Sequence, residues 1–348
     1  MARISGEGGF VFDLSGLGRE PFPEWAWLLF VLGIDVAHVY ATLFRTYLDP
    51  DELRQHPVRY ALAPLSVFGL GCGLYAVSSL WFWRCFAYIA VYHFIRQQVG
   101  WVAIYRAKSR HRGKLDRAID EAAVYSATLY PLAYWHAHLA STHFAWFVQG
   151  DFVDVTALAG RLLPGFQLAF WLSLGVFLVR QGIVLVRERV VLLGKLCVVL
   201  STAAIWYVGI IATNSDFAFT VTNVIVHGVP YVALLWMYTK ARARECPRGL
   251  LVELRKKGLA VFLVCLVALA FAEELLWEHL VFHDRPWLFG ESAVWLSPAV
   301  LTFVVPLLMV PQATHYVLDG LLWRSKDTRA LSAQRRALGI FAPGERNS

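Results

Sequence analysis

The sequence predicts an all-α fold: a polytopic transmembrane helix bundle of about nine spans, with eight as the alternative count. Three observations carry that expectation. Hydrophobic residues make up 58% of the 348 and charged residues only 16%, whereas soluble domains are closer to a quarter charged. Runs of about 18 or more mostly apolar residues recur along the whole chain, each long enough to cross a bilayer. Lysine and arginine collect in alternate connections. No long polar stretch exists to build a second, soluble domain, so the core has to be helix against helix in lipid.

Taken in order, residues 1–24 read as an N-terminal extracytoplasmic segment. They carry Glu7, Asp13, Glu20 and Glu24 and lack the basic start and apolar core of a cleavable signal peptide. The bundle occupies 25–323, with spans expected at about 25–47, 60–80, 82–105, 119–147, 165–186, 191–213, 217–239, 258–280 and 294–320. Residues 324–348 form a basic tail. The loop after the third span, RAKSRHRGKLDR, and the segment after the seventh, with Lys240, Arg242, Arg244, Arg248, Arg255, Lys256 and Lys257, are strongly basic. Arg187, Arg189 and Lys195 flank the connection between the fifth and sixth spans. The even-numbered connections, such as VQGDFVDVTALAG and TNSDF, are poor in Lys and Arg. Positive charge marks the cytoplasmic face, so the N-terminus is expected outside and the C-terminus in the cytoplasm of a bacterial-type inner membrane. The sequence pI of about 9.2 is accounted for by these loops meeting anionic lipid headgroups, and nucleic acid is not needed to explain it. Trp25, Trp27, Trp81, Trp83, Trp146, Trp236, Trp287 and Trp323 fall near span ends, as an interfacial aromatic belt would. The five cysteines form no C-x-x-C and predict no disulfide framework.

The informative residues are polar groups at membrane depth. His38 lies just past the centre of the first span, one turn after Asp35. His93 is central in the third, within YHFIRQQVGW, and His136 and His138 lie in the fourth. His227 is central in the seventh, and Gln312, His315 and Asp319 lie in the inner half of the ninth. Ionisable groups at this depth are expensive and face a bundle interior or a wet cavity. Five helices each carrying histidine point to a shared polar site, because imidazole is the commonest nitrogen ligand for transition metals. The bland reading of any one such histidine is a hydrogen bond to a neighbouring helix. Asp35 with His38, and His315 with Asp319, share helix faces at three and four residues, so each carboxylate is placed to orient a ligating imidazole. His136 and His138 are two apart, and one of them is expected to enter the cavity. Arg96 keeps its charge at any relevant pH and needs an acceptor: Asp35, a substrate carboxylate or phosphate, or helix carbonyls. At least one of Gln97 and Gln98 is expected to hydrogen-bond another helix. Arg45, near the inner boundary, is expected to snorkel to the headgroups. His279 and His283 sit in an outer loop that reads as structural or as a lid, and not as the main metal site.

Other chemistry finds little footing. The chain has no G-x-S-x-G and no P-loop. Its lysines lie at span ends, which removes a retinal Schiff base. The segments DVAHVY, VYHFIRQQ and YWHAH, over the first half of the chain, resemble the Brp/Blh-type membrane oxygenases that cleave beta-carotene to retinal. That resemblance implies a helical bundle with iron held by histidines from separate helices.

Residues and resemblance together set the expectation of an integral membrane, metal-dependent oxidoreductase or oxygenase. Its metal would be one or two iron ions, with zinc or haem as alternatives, held by His38, His93, His227, His315 and one of His136 or His138. Its substrate would be a lipid-like or isoprenoid small molecule arriving from the bilayer. Asp35 and Asp319 would orient ligands, and Arg96 would stabilise negative charge or anchor a polar head. The competing expectations are a proton-coupled transporter that uses the same buried groups as a relay, and a haem- or quinone-binding membrane subunit.

Overall fold

The computed structural model describes residues 2–4, 10–12, 23–109, 111, 113–141, 145–213, 215–245, 249–291 and 293–322. The expected basic tail 324–348, Trp323, Cys246 and most of the expected 1–24 segment lie outside the described residues. Among the described residues the chain is helical, apart from one antiparallel ribbon of β1 (Ala2–Ile4) on β2 (Phe10–Phe12). The helices are α1 (Glu24–Arg45), α2 (Pro50–Gln55), α3 (Pro57–Val77), α4 (Ser79–Lys108), α5 (Lys114–Ala137), α6 (Thr156–Glu188), α7 (Leu193–Ala212), α8 (Asp216–Glu245), α9 (Leu250–Lys257), α10 (Leu259–Phe282), α11 (Pro286–Phe289) and α12 (Pro298–Leu322).

Seven of these, α1, α3, α6, α7, α8, α10 and α12, are long and apolar enough to cross a membrane, which marks a multi-pass membrane protein. The expected third and fourth spans correspond to α4 and α5. At 30 and 24 residues they have the length, but Arg84, His93, Arg96, Gln97 and Gln98 in α4 and Asp116, Arg117, Asp120 and Glu121 in α5 make them more polar. Two boundaries differ from expectation. Helix α5 stops at Ala137, ten residues before the anticipated end, and α6 starts at Thr156. The early stop has a local cause: the His138 Nδ1 bonds the Tyr134 carbonyl at 2.8 Å and its ring stacks on Tyr134, satisfying an acceptor that the helix end leaves open. In the loop that follows, the Asp151 carboxylate accepts from the Phe147 and Val148 N–H groups, while burial pushes its pKa up.

The chain divides into two compact units. The first comprises Met1–Ala26 and Phe86–His227. Helix α5 packs along α6 and against α7 there, over an aromatic core that includes Trp135, Phe152, Phe170 and Trp206. Lys195, expected to flank the connection between the fifth and sixth spans, is buried and pairs with the buried Asp120 at 2.9 Å. The pairing lets both charges leave water.

The second unit comprises Trp27–Cys85 and Gly228–Ser348. Helix α1 packs on α10, and α3 lies against α12. A Cβ at Gly71 would stand 3.0 Å from the Pro306 Cβ, so α3 and α12 approach as closely as they do because residue 71 has no side chain. Helix α2 opens with Asp49, whose carboxylate accepts from the N–H groups of Asp51 and Glu52, followed by Pro50 in the first turn. Arg45 does not snorkel. It is fully buried, its Nη1 is 2.7 Å from Glu52, and its guanidinium lies over the Tyr238 ring. The connection between α1 and α3 folds back as α2 and supplies the counter-charge locally, which sequence spacing did not suggest. The aromatic belt is also incomplete. Trp25, Trp81 and Trp287 are exposed, but Trp27 is buried beneath Arg285 and Trp83 is buried against Phe82.

Candidate metal centre

The site begins on α1. Residues 27–36 wind as a π-helix and the chain returns to α-helix at Ala37, immediately before His38. Such insertions recur at functional positions. His38 is fully buried, and its Nδ1 lies 3.7 Å from the Asp35 carboxylate. One turn on, the Thr42 hydroxyl is 2.7 Å from the His315 Nδ1 and 3.0 Å from the Tyr231 hydroxyl. The rings of His38 and His315 meet edge to face at 5.0 Å, and Tyr231 packs against both. Thr42 thus links the His315 Nδ1 and the Tyr231 hydroxyl in one string, and Asp319 stands one turn beyond His315 on α12. With Nδ1 engaged by Thr42, Nε2 is the nitrogen left to face a metal, the arrangement that outer-shell partners impose on metal-ligating histidines.

Helix α8 brings the third imidazole. A Cβ on Gly228 would stand 2.8 Å from the Ile34 Cγ2 and 3.5 Å from the His38 Nδ1, so the missing side chain is what lets α8 lie this close to α1. His227 immediately precedes Gly228 on the same unbroken helix, one turn before Tyr231. Three buried histidines, His38, His227 and His315, each offer a ring nitrogen, and these atoms lie within 4.8 Å of one another. His227 is further held by Phe94, stacked on it at 3.8 Å, and by His93, whose ring meets it edge to face at 4.9 Å. Rings in such contact leave no space for a porphyrin between them, so His93 and His227 are not a pair of axial haem ligands.

No protein-family model, no curated protein and no solved structure matches this chain. The donor set alone therefore carries the chemistry. Three imidazoles with no carboxylate among them make a neutral, borderline-soft site of the kind that suits Fe, Zn or Cu rather than Mg or Ca.

The other anticipated residues are placed differently. His136 has both nitrogens engaged, Nε2 with the Tyr88 hydroxyl and Nδ1 with the Leu132 carbonyl, each at 2.8 Å. His138 closes α5 as described. Neither belongs to the cluster of His38, His227 and His315: both nitrogens of His136 and the Nδ1 of His138 are bonded within their own surroundings. Arg96 donates to the Tyr125 hydroxyl at 2.7 Å, an acceptor absent from the anticipated set. Gln98 accepts from Thr202 at 3.3 Å. In the outer loop, Glu278 accepts from the N–H groups of Asp284 and Arg285 and from the Arg285 side chain, and His279 Nε2 bonds the Phe289 carbonyl. These contacts fold the loop on itself.

Sequence reasoning missed Thr42 and Tyr231. Each stands four residues after an anticipated ligand, His38 and His227, and so on the same face. That spacing was a usable signal. Residue type was not, since hydroxyls in membrane helices commonly bond their own backbone. Also missed was the ionic layer beyond Arg45, where Arg242 pairs with Asp49 at 2.9 Å and with Asp51, and Tyr238 donates to Asp49.

Proposed function

We propose that this multi-pass membrane protein holds one transition-metal ion on His38, His227 and His315, and that the ion is iron serving the oxidation of a lipid-like molecule from the bilayer. The observation that carries the reading is the convergence of three buried imidazole nitrogens within 4.8 Å. Two metal–nitrogen bonds of about 2.1 Å at a tetrahedral angle hold their nitrogens roughly 3.4 Å apart. Closing from at most 4.8 Å is a shift of about 1.4 Å or less, within the reach of side-chain rotation. The Thr42 hydroxyl supports the same reading, because it engages the Nδ1 of His315 and leaves Nε2 as the nitrogen for a metal. Three ligands leave a coordination position open for oxygen or substrate. Apolar, lipid-facing helices favour a ligand that partitions into the bilayer. Asp35, beside His38, and Asp319 orient imidazoles in this reading. Arg96, held by Tyr125, anchors structure rather than substrate.

The test is elemental analysis of purified protein together with its absorption spectrum. About one iron per chain without a Soret band is expected. His38→Ala, His227→Ala and His315→Ala should each remove it, while His136→Ala should not. Protein that takes up no metal, even after anaerobic loading with ferrous iron, would overturn the proposal.

A second reading, a proton-coupled carrier, is favoured by one observation. In the second unit, polar groups follow one another from Asp35 through His38, His315, Thr42 and Tyr231, with the Arg45–Glu52 pair beyond. Absence of metal together with proton flux in liposomes would select it.

A further inference from the structure

On α4, the turn following His93 carries an amide that the metal reading does not use. Gln97 is 92% buried, from its exposure of 8%, yet neither its Oε1 nor its Nε2 has a hydrogen-bond partner among the described residues. One further turn along, the indole Nε1 of Trp101 is also buried without a partner. Leaving such groups dry forfeits the hydrogen bonds they make in water, so buried amides are nearly always satisfied.

Their direction follows from helix geometry. At about 100° per residue, Gln97 stands roughly 40° and Trp101 roughly 80° around the axis from His93, with Phe94 at about 100°. His227 packs against both His93 and Phe94. Gln97 and Trp101 therefore start on the stripe of α4 that faces α8. Side chains on a helix lean towards its N-terminus, so the Gln97 amide leans back towards the His93–His227 pair and the Trp101 indole towards Gln97.

We propose that Gln97 and Trp101 form a binding site for a neutral hydroxyl group beside His93 and His227. The set offers donors from the indole N–H and the amide NH2 and one acceptor, the amide oxygen. It carries no charge. That matches a hydroxyl, which donates once and accepts twice, and disfavours a carboxylate or phosphate, for which the site supplies no cation. The hydroxyl comes from water or from a long-chain alcohol reaching the site through the bilayer. The site stands whether or not the triad holds metal.

The test uses full-length protein in lipid nanodiscs. The hydrogen-bond state of the Trp101 indole is read from its vibrational signature as the difference between wild type and Trp101→Phe. The probes are deuterium oxide, 1-dodecanol, and dodecane as the chain without oxygen. An indole already bonded, and exchanging with deuterium oxide before any addition, identifies water. An indole that becomes bonded on adding 1-dodecanol but not dodecane identifies the alcohol. Either result supports the site, and Gln97→Leu should weaken the response at least tenfold. Thermal unfolding supplies the second measurement. A hydroxyl bound to Gln97 makes Gln97→Leu less stable than wild type, whereas a dry, empty amide makes it more stable. If Gln97→Leu fails to fold, Gln97→Met serves for both readings. An indole unbonded under all three conditions, or a stabilised apolar variant, overturns the proposal.

Discussion

Replacing Thr42 by valine isolates the string behind His315. The two side chains have nearly the same shape, so the change removes a hydroxyl and little else. Two contacts vanish, at 2.7 Å to His315 and 3.0 Å to Tyr231. The losses are unequal. Tyr231 loses one hydrogen bond, about 1 kcal/mol. His315, 1% exposed, loses the Thr42 partner of its buried Nδ1, which costs about 1–3 kcal/mol. The total is roughly 2–4 kcal/mol of unfolding free energy. The imidazole also loses the partner that held its Nδ1, and removal of such outer-shell partners typically weakens metal binding about 10–100-fold. Denaturant unfolding in detergent micelles reads the first effect, and chelator competition for iron reads the second. Thr42→Ser keeps the hydroxyl and should stay near wild type in both. A valine variant that matches wild type in stability and in metal affinity would refute the string as a support for His315.

Two further outcomes are expected. Arg45→Met strands the buried Glu52 carboxylate and should destabilise by about 3–5 kcal/mol, while adding Glu52→Gln should restore most of it, because removing both charges of a buried pair is often near neutral; a double-mutant cycle in chemical unfolding measures the coupling, and additive effects would mean that the pair does not interact. In a background with the native cysteines replaced, single cysteines at Lys108 and Asp154 should be labelled by impermeant maleimide from opposite faces of the membrane, and labelling from one face alone would overturn the charge-based topology.

The sequence by itself determined the class of protein and the depth of its polar groups. Apolar runs of spanning length leave the backbone no economical option but helix, since every N–H and C=O in lipid must be satisfied within its own segment. The same logic makes a mid-span histidine conspicuous, and His38, His93, His227 and His315 stand out without any structure. Position along a helix does not say what lies beside it, and six histidines at overlapping depth could be sorted only by neighbours. Tertiary packing gave His136 to Tyr88 and to its own helix backbone, and it turned His138 into the stop of α5. It brought His38, His227 and His315 together because Gly228 lets α8 close on α1 and because Thr42 holds the His315 ring. It also decided the fate of Arg45, which spacing from the span end sent to the headgroups and which Glu52, folded back on α2, keeps inside. In each case the deciding partner lies on a separate element, and the energy of a buried polar group depends on that partner far more than on its own position in the chain.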